Sequence, residues 1–329
     1  MFTRRTFLTG AGLGAAGAVA LTACGNDSGG GGEGGTAVTV GFIADGNGAT
    51  IVAIAEQEDL WAKHGLDPTI EEFTDGPLQI QALGTGDIDF GYIGPGALWL
   101  PMEGQATVVS LNSLGRADRV IAQPGIDSVA ALRGKTVGVA EGTSSDMILS
   151  LALEHADMTT DDIERVAMDP STIISAFTSG QIDAAAIWYP HIETIRQRVS
   201  DLVELDVAAD FPELEFPACE VAGPDIATEK PEVLAKFQAV VKDALDWAAE
   251  NNDQLPSLLA DYLDAPEESI AAEMEHVQNL SSQDLLDAIE DGTAAEWLTS
   301  LNELYVEFDK TDEVVDVSSY FLGEEFVNA

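Results

Sequence analysis

Residues 136–148 read TVGVAEGTSSDMI, and residues 39–51 read TVGFIADGNGATI. Each copy is an apolar strand followed by a glycine-containing loop and the start of a helix. A second pair has nearly the same spacing, because ALGTGDIDFGYIGP at residues 82–95 returns as AFTSGQIDAAAIWYP at residues 176–190. A single duplication of this length predicts two similar lobes, since solenoids repeat over much shorter periods.

The order of elements around these repeats predicts an α/β fold. From Val38 to about Leu205, short β-rich runs alternate with helical patterns, as in parallel βαβ units with helices on both faces of a sheet. Beyond about Gly223 only helical patterns follow, which predicts a helical C-terminal extension packed on the first lobe. Each lobe is expected to hold a mixed, mostly parallel sheet flanked by helices.

The composition is that of a globular protein with an extreme charge. The chain has 329 residues, 46% of them hydrophobic, which is enough for a sizeable core and for two domains. Its 58 acidic residues outweigh 14 basic ones, for a formal net charge of −44. Nucleic acid and anionic membrane surfaces are therefore poor partners, and no nucleic-acid binding is predicted. Most of the acids are expected to lie on a solvated surface.

The first 23 residues have the pattern of an export signal. Arg4 and Arg5 precede a weakly apolar Gly/Ala stretch, and Leu21, Thr22 and Ala23 precede Cys24. These two patterns resemble the twin-arginine signal and the bacterial lipobox, which predicts cleavage before Cys24 and lipid attachment to its thiol. The alternative of a transmembrane helix is disfavoured, because the apolar stretch is shorter than the roughly 20 residues needed and is rich in glycine.

Residues 24–36 are a Gly-rich tether, which predicts a protein anchored by lipid to the outer face of the cell membrane. Cys219 is the only cysteine after Cys24, so the body has no internal disulfide. We expect Cys219 to be a small buried apolar residue.

The candidate binding residues lie in the repeated loops, because ligands of open α/β sheets bind at the carboxyl ends of the strands. A helix start presents free backbone N–H groups that favour an anionic group, and hydroxyl side chains add donors. Ser and Thr at these positions could instead cap their own helices. The candidates are Asp45, Gly46, Asn47, Gly94, Pro95, Glu141, Thr143, Ser144, Ser145, Trp188 and Tyr189.

The charge of these loops bears on the ligand. None contains Lys or Arg, whereas Asp45, Glu141 and Asp146 lie in or beside them. A multiply charged anion would be poorly neutralised, so the loops favour a zwitterion with a sulfonate-like end on backbone N–H groups and an ammonium end near a carboxylate. Trp188, Tyr189 and Tyr92 could close over an alkyl chain or a cation, or could fill the core.

No catalytic or metal-binding pattern is found. The four histidines have no metal-ligand spacing, and no nucleophile motif, P-loop or dinucleotide fingerprint is present, so no enzyme activity, metal or cofactor is predicted. His191 is either a ligand contact or an exposed histidine. Glu213, Glu215 and Glu220 could reach a cleft, but we expect them to face solvent.

Three runs resemble a known family: GTGDIDFGYIGPGAL, LRGKTVGVAEGTSSDMIL and SGQIDAAAIWYPHI. They are similar to substrate-binding proteins of ABC importers of the aliphatic sulfonate, taurine and nitrate type. The resemblance implies a two-lobed periplasmic-binding-protein fold of type II, a solute between the lobes and no catalysis. It also implies a solute contact at a loop matching Gly76 and Pro77, beside the loops already named.

By position, the resemblance places lobe 1 at residues 37–114 and 224–329 and lobe 2 at residues 115–223. The implied partners are a small solute, here a sulfonate or aminosulfonate such as taurine, and an ABC permease with its cytoplasmic ATPase. A monomer is expected. The alternatives are a receptor of the same fold for another zwitterionic or heterocyclic solute, an enzyme like the thiamine-pyrimidine synthases, or a tethered sensory or adhesive protein.

Overall fold

The computed structural model describes residues 35–329, so the predicted signal peptide, Cys24 and most of the tether lie outside the described residues. The strands are β1 (Thr36–Ile43), β2 (Leu66–Phe73), β3 (Phe90–Ile93), β4 (Thr107–Gly115), β5 (Asp118–Ala122), β6 (Thr136–Val139), β7 (Glu164–Ala167), β8 (Ala184–Trp188), β9 (Val203–Val207), β10 (Pro217–Ala222) and β11 (Val277–Asn279). The helices are α1 (Gly46–Gln57), α2 (Leu60–Lys63), α3 (Gly76–Thr85), α4 (Trp99–Met102), α5 (Ser144–His155), α6 (Pro170–Thr178), α7 (His191–Arg196), α8 (Ile226–Glu229), α9 (Pro231–Glu250), α10 (Leu255–Leu263), α11 (Glu267–Met274), α12 (Ser282–Glu290), α13 (Thr293–Glu307) and α14 (Gly323–Asn328). Within this range no helix has the length and apolar character needed to cross a membrane.

The strands form two mixed sheets that share one arrangement. Their orders are β2-β1-β3-β10-β4-β11 and β7-β6-β8-β5-β9. β1 pairs in parallel with β2 and β3, and β6 pairs in parallel with β7 and β8. The next strand in each sheet, β10 or β5, is antiparallel. The matching orders are what the duplicated sequence predicts, and the α/β fold with two mixed sheets is confirmed.

Antiparallel pairing is more common than the sequence alone predicts. β10 runs antiparallel to both β3 and β4, and β5 runs antiparallel to both β8 and β9. β10 follows β9 of the second sheet along the chain but pairs within the first, although its residues fall in the range predicted for lobe 2. The lobe boundaries stay a prediction.

Two strands were not expected from the sequence. The pattern of residues 266–280 predicts one helix, but α11 ends at Met274 and β11 then pairs with the Ser113–Gly115 end of β4. This pairing satisfies backbone groups at the sheet edge, and three residues are too few to give a strand period. β10 is hidden in the sequence because the charged Glu220 interrupts an otherwise apolar run.

The C-terminal extension packs on the first sheet, as predicted. The ring of Phe237 in α9 stacks on that of Phe90 in β3, with centroids 3.9 Å apart, and both residues are fully buried. The Gln238 side chain donates to the carbonyl of Val109 in β4 at 2.8 Å. Cys219 in β10 is also fully buried, which confirms its expected role in the core.

Candidate functional site

Most of the predicted loop residues surround one small cavity between the two sheets. Its volume is about 50 Å³, which leaves space for only a few water molecules. The predicted residues that line it are Asp45, Asn47, Gly76, Gly94, Pro95, Thr143, Ser144, Trp188 and Tyr189. Other lining residues are Ile43, Asp75, Tyr92, Ala97, Gly115, Ala117, Asp118 and Glu273. The loops at the carboxyl ends of corresponding strands therefore converge, although ligand contact by their residues stays a prediction.

Three predicted residues lie outside this lining. Gly46 is buried behind it, with its N–H bonded to a carboxylate. The Glu141 side chain is 60% exposed and pairs with Arg165 at 3.2 Å, so it points away from the cavity. Ser145 is buried at the start of α5 and donates to the carbonyl of Ala140. His191 is also absent from the lining, and burial lowers its pKa to about 4.

Asp45 joins the loops of the two sheets. Its carboxylate caps α1 by accepting from the backbone N–H of Gly48 at 2.7 Å. The other oxygen accepts from the indole Nε1 of Trp188, the last residue of β8, at 3.0 Å. A predicted residue of the first half thus bonds directly to a predicted aromatic residue of the second.

The start of α1 is occupied by Glu273, a residue that the sequence analysis missed. Its carboxylate, carried by α11, accepts from the N–H of Gly46 at 2.8 Å and of Asn47 at 3.0 Å. These N–H groups are therefore not free for an anionic ligand, contrary to the expectation for this loop. The signal in the sequence was slight: Glu273 lies three residues after the buried Ile270, on the inward face of α11.

The loop before α5 divides its hydroxyl groups between capping and the cavity. Thr143 caps the helix by accepting from the N–H of Ser145 at 3.3 Å, and its own hydroxyl donates to the carbonyl of Ala140 at 2.7 Å. Ser144 instead lines the cavity together with Asp118, where burial raises the pKa of the Asp118 carboxyl and the Ser144 hydroxyl offsets part of that increase. Asp118, the first residue of β5, was not among the predicted residues because it follows a crossover that carries no loop signature.

The cavity is acidic. Burial raises the pKa of Asp45 to about 7 and that of Asp118 to about 6, and the charge of Asp118 contributes to the shift of Asp45. Burial, followed by the charge of Asp45, raises the pKa of Glu273 well above its usual range. None of the described residues that line the cavity is Lys or Arg. The cavity therefore offers a ligand mainly hydrogen-bond acceptors and aromatic rings.

Glu220 lies behind the cavity wall, not in solvent as the sequence analysis expected. It pairs with Tyr92 of β3 and Ser110 of β4 in the sheet, and its carboxyl accepts from the Asn112 amide at 3.0 Å. Burial raises its pKa to about 8. Glu213 is exposed, as expected, and Glu215 is half-buried against Arg116.

We expect Glu220→Gln to stabilise the protein at high pH but not at low pH. The folded chain keeps the Glu220 proton up to about pH 8, whereas the unfolded chain loses it near 4.5. The stability contributed by protonated Glu220 is therefore present below pH 4.5 and is lost as the pH rises through 8. Urea denaturation at pH 5 and pH 9 measures this, and the variant should gain on the order of 1 kcal/mol or more relative to wild type between them.

The exposed Glu313→Gln is the control, since its stability difference from wild type should not follow this pH course. A Glu220→Gln difference that is the same at both pH values would show that Glu220 is ionised in the folded chain over the whole range.

The two sides of the cavity also touch through backbone. A Cβ atom added to Gly96 would lie 2.0 Å from the amide nitrogen of Ser144 and 2.1 Å from the carbonyl carbon of Thr143. Nearby, Lys310 of the C-terminal extension pairs with Asp146 of α5 at 2.9 Å. The loops are therefore in a closed arrangement, and only glycine fits at position 96.

The model of the family described as NMT1/THI5 like matches residues 47–255. A Brucella abortus protein, whose name assigns it a binding role but no ligand, is 46% identical over 290 residues, which cover 88% of this chain and 91% of that protein. The taurine-binding periplasmic protein of Escherichia coli is 25% identical over 199 residues, which cover 59% of this chain and 60% of that protein.

A solved structure supports the fold. The crystal structure of the periplasmic aliphatic sulphonate binding protein of Escherichia coli matches with a TM-score of 0.68 at 20% identity, and the match covers 88% of this chain and 99% of that one.

Proposed function

Because the chain belongs to the NMT1/THI5-like family, we propose that it is an exported solute-binding protein of an ABC importer. Its solute is a small sulfonate or aminosulfonate of the taurine type, held between the two sheets and delivered to a membrane permease with a cytoplasmic ATPase. The observation that carries the proposal is the small cavity on which both sets of corresponding loops converge. The names of the taurine-binding and sulphonate-binding relatives support the solute class.

The proposed mechanism follows from the closed arrangement. A solute between the two sheets touches loops of both, for instance at Asp45 and Thr143. Because the cavity has space for only a few water molecules, it must widen around the solute, which still binds this nearly closed form more tightly than any form in which the loops separate. Solute binding then shifts the population toward the closed form. The permease recognises that form, and the protein acts as a monomer.

The proposed location rests on the sequence. Cleavage before Cys24 and lipid attachment to its thiol would leave the body tethered to the outer face of the cell membrane. Mass spectrometry of the mature N-terminus tests this: an acylated Cys24 is expected, and a mature chain that retains residues 1–23 contradicts it.

The solute class is tested by thermal unfolding of the chain from Gly34 to Ala329, which forms one compact unit. We expect taurine or a short alkanesulfonate at saturating concentration to raise the melting temperature, because a ligand that binds only the folded state stabilises it. Amino acids and nitrate form the control panel. A shift with a member of that panel and none with any sulfonate would contradict the proposed solute.

We propose no enzyme activity for this chain. Cys219 is the one cysteine of the body, and burial raises the pKa of its thiol well above the usual range, so it cannot serve as a thiolate nucleophile. Cys219 therefore gives no support to the alternative of an enzyme like the thiamine-pyrimidine synthases. An assay for release of a modified product from any solute that binds would test the point directly.

A further inference from the structure

The carboxyl of Asp118 is an acidic group of the cavity with a buried, unused acceptor. Asp118 is 8% exposed, lines the cavity and pairs with Trp188 across β5 and β8. One carboxyl oxygen, Oδ1, is buried without a hydrogen-bond partner in the described part of the chain. A buried acceptor left in this state costs about 1–3 kcal/mol. The group therefore favours a donor supplied from outside the protein.

The neighbouring charged groups do not supply that donor. Asp45 accepts from Gly48 and Trp188, and Glu273 accepts from Gly46 and Asn47, so the oxygens of both carboxyls are already hydrogen-bonded. Neither carboxylate can donate to Asp118, and both repel its negative charge. Arg119, next to Asp118 in the sequence, uses its guanidinium elsewhere: Nη1 donates to the backbone carbonyl of Asp118 at 2.8 Å, and Nε lies 3.3 Å from Glu204.

The surroundings of Asp118 suit an organic cation. The lining includes the aromatic residues Tyr92, Trp188 and Tyr189, and aromatic ring faces attract cations. The Tyr189 ring already has the Arg119 guanidinium carbon 5.5 Å from its centroid, which leaves Tyr92 and Trp188 for a solute. The acidic side chains of the described residues are not arranged to hold a metal ion. A protonated amine is small, donates up to three hydrogen bonds and balances the charge of a carboxylate.

We propose that Asp118 binds a protonated nitrogen of the solute, and that the solute is therefore an amine-bearing compound. This inference rests on the proposed function and narrows it, because an alkanesulfonate without a basic nitrogen leaves Asp118 without a donor. An aminosulfonate places its ammonium group on Asp118. Asp118 acts with Asp45, whose charge adds to the attraction for the cation.

The test is calorimetric titration of the Gly34–Ala329 chain with three probes: taurine, ethanesulfonate and ethylammonium. We expect wild type to bind taurine about 10-fold or more tightly than ethanesulfonate, since charge-assisted hydrogen bonds are the strong ones. Asp118→Asn should weaken taurine binding about 10-fold or more and change ethanesulfonate binding less than about threefold. Glu313→Gln, an exposed acidic residue outside the cavity, is the control and should change neither.

The outcomes separate this inference from the proposed function. Equal binding of taurine and ethanesulfonate by wild type, or equal losses in Asp118→Asn, overturns the inference and leaves the sulfonate proposal standing. Binding of ethylammonium that depends on Asp118, with no binding of either sulfonate, supports the inference and overturns the sulfonate proposal.

The comparison of taurine with ethanesulfonate on wild type needs no variant. It therefore tests the inference even if Asp118→Asn fails to fold. If none of the probes binds, mass spectrometry of the small molecule released from the purified protein decides. A released solute with a basic nitrogen supports the inference, and a released solute without one, or no amine-bearing solute at all, overturns it.

Discussion

Replacing Gly96 by alanine is expected to weaken solute binding about 100-fold or more, because the variant cannot reach the closed arrangement. The new Cβ would lie 2.0 Å from the amide nitrogen of Ser144, which is much closer than van der Waals contact allows. The clash is with backbone atoms, which cannot rotate away as a flexible side chain could. The loops around Gly96 and Thr143 would have to move apart. A solute that needs both loops would then lose part of its contacts.

The matched control is Gly84→Ala, at a helical position of α3 where an added Cβ meets nothing within 4 Å. It should bind the solute as wild type does. Calorimetric titration with the most tightly bound member of the sulfonate and amine panel measures both variants. An affinity of Gly96→Ala within about threefold of wild type would mean that the closed contact plays no part in binding.

The second large effect is expected for Glu273→Ala, which should lower the free energy of unfolding by about 2–3 kcal/mol. The change leaves the N–H groups of Gly46 and Asn47 without an acceptor, the first of them fully buried. Removal of the carboxyl also relieves its burial and its repulsion with Asp45, which offsets part of this cost. We expect the loss of capping to be the larger effect, because two backbone donors lose their partner.

Glu273→Gln should cost less than Glu273→Ala, since a glutamine carbonyl still accepts from one of the two N–H groups. Glu275→Ala, exposed at the end of the same helix, is the control and should change stability by less than about 0.5 kcal/mol. These values come from urea denaturation at pH 7. Equal stability of wild type and Glu273→Ala would show that water replaces the carboxylate at the start of α1.

The repeated stretches made the fold predictable, because each carries a strand, a loop and a helix start in order. They fixed β1 with α1 and β6 with α5, and the shared order of the two sheets follows from them. β10 and β11 could not be predicted. β10 contains a buried charge, and β11 is short and exists only because β4 offers an open edge.

The cavity was predictable where its residues belong to the repeats and not elsewhere. Asp45, Thr143 and Trp188 follow strands of the repeated pattern, so their loops mark them. Glu273 and Asp118 come from an acidic helix and from a crossover, and in a chain with 58 acidic residues neither stands out. Their importance depends on burial, which only the folded arrangement creates. Glu141 has the same kind of loop position, but its side chain pairs with Arg165 outside the cavity lining.

The most direct measurement of the central claim is a crystal structure of the Gly34–Ala329 chain grown with taurine. The account predicts electron density for one solute between the two sheets, with its nitrogen at Asp118 and with Thr143 and Trp188 beside it. Taurine bound elsewhere on the protein, with the cavity between the sheets unchanged, would contradict the account.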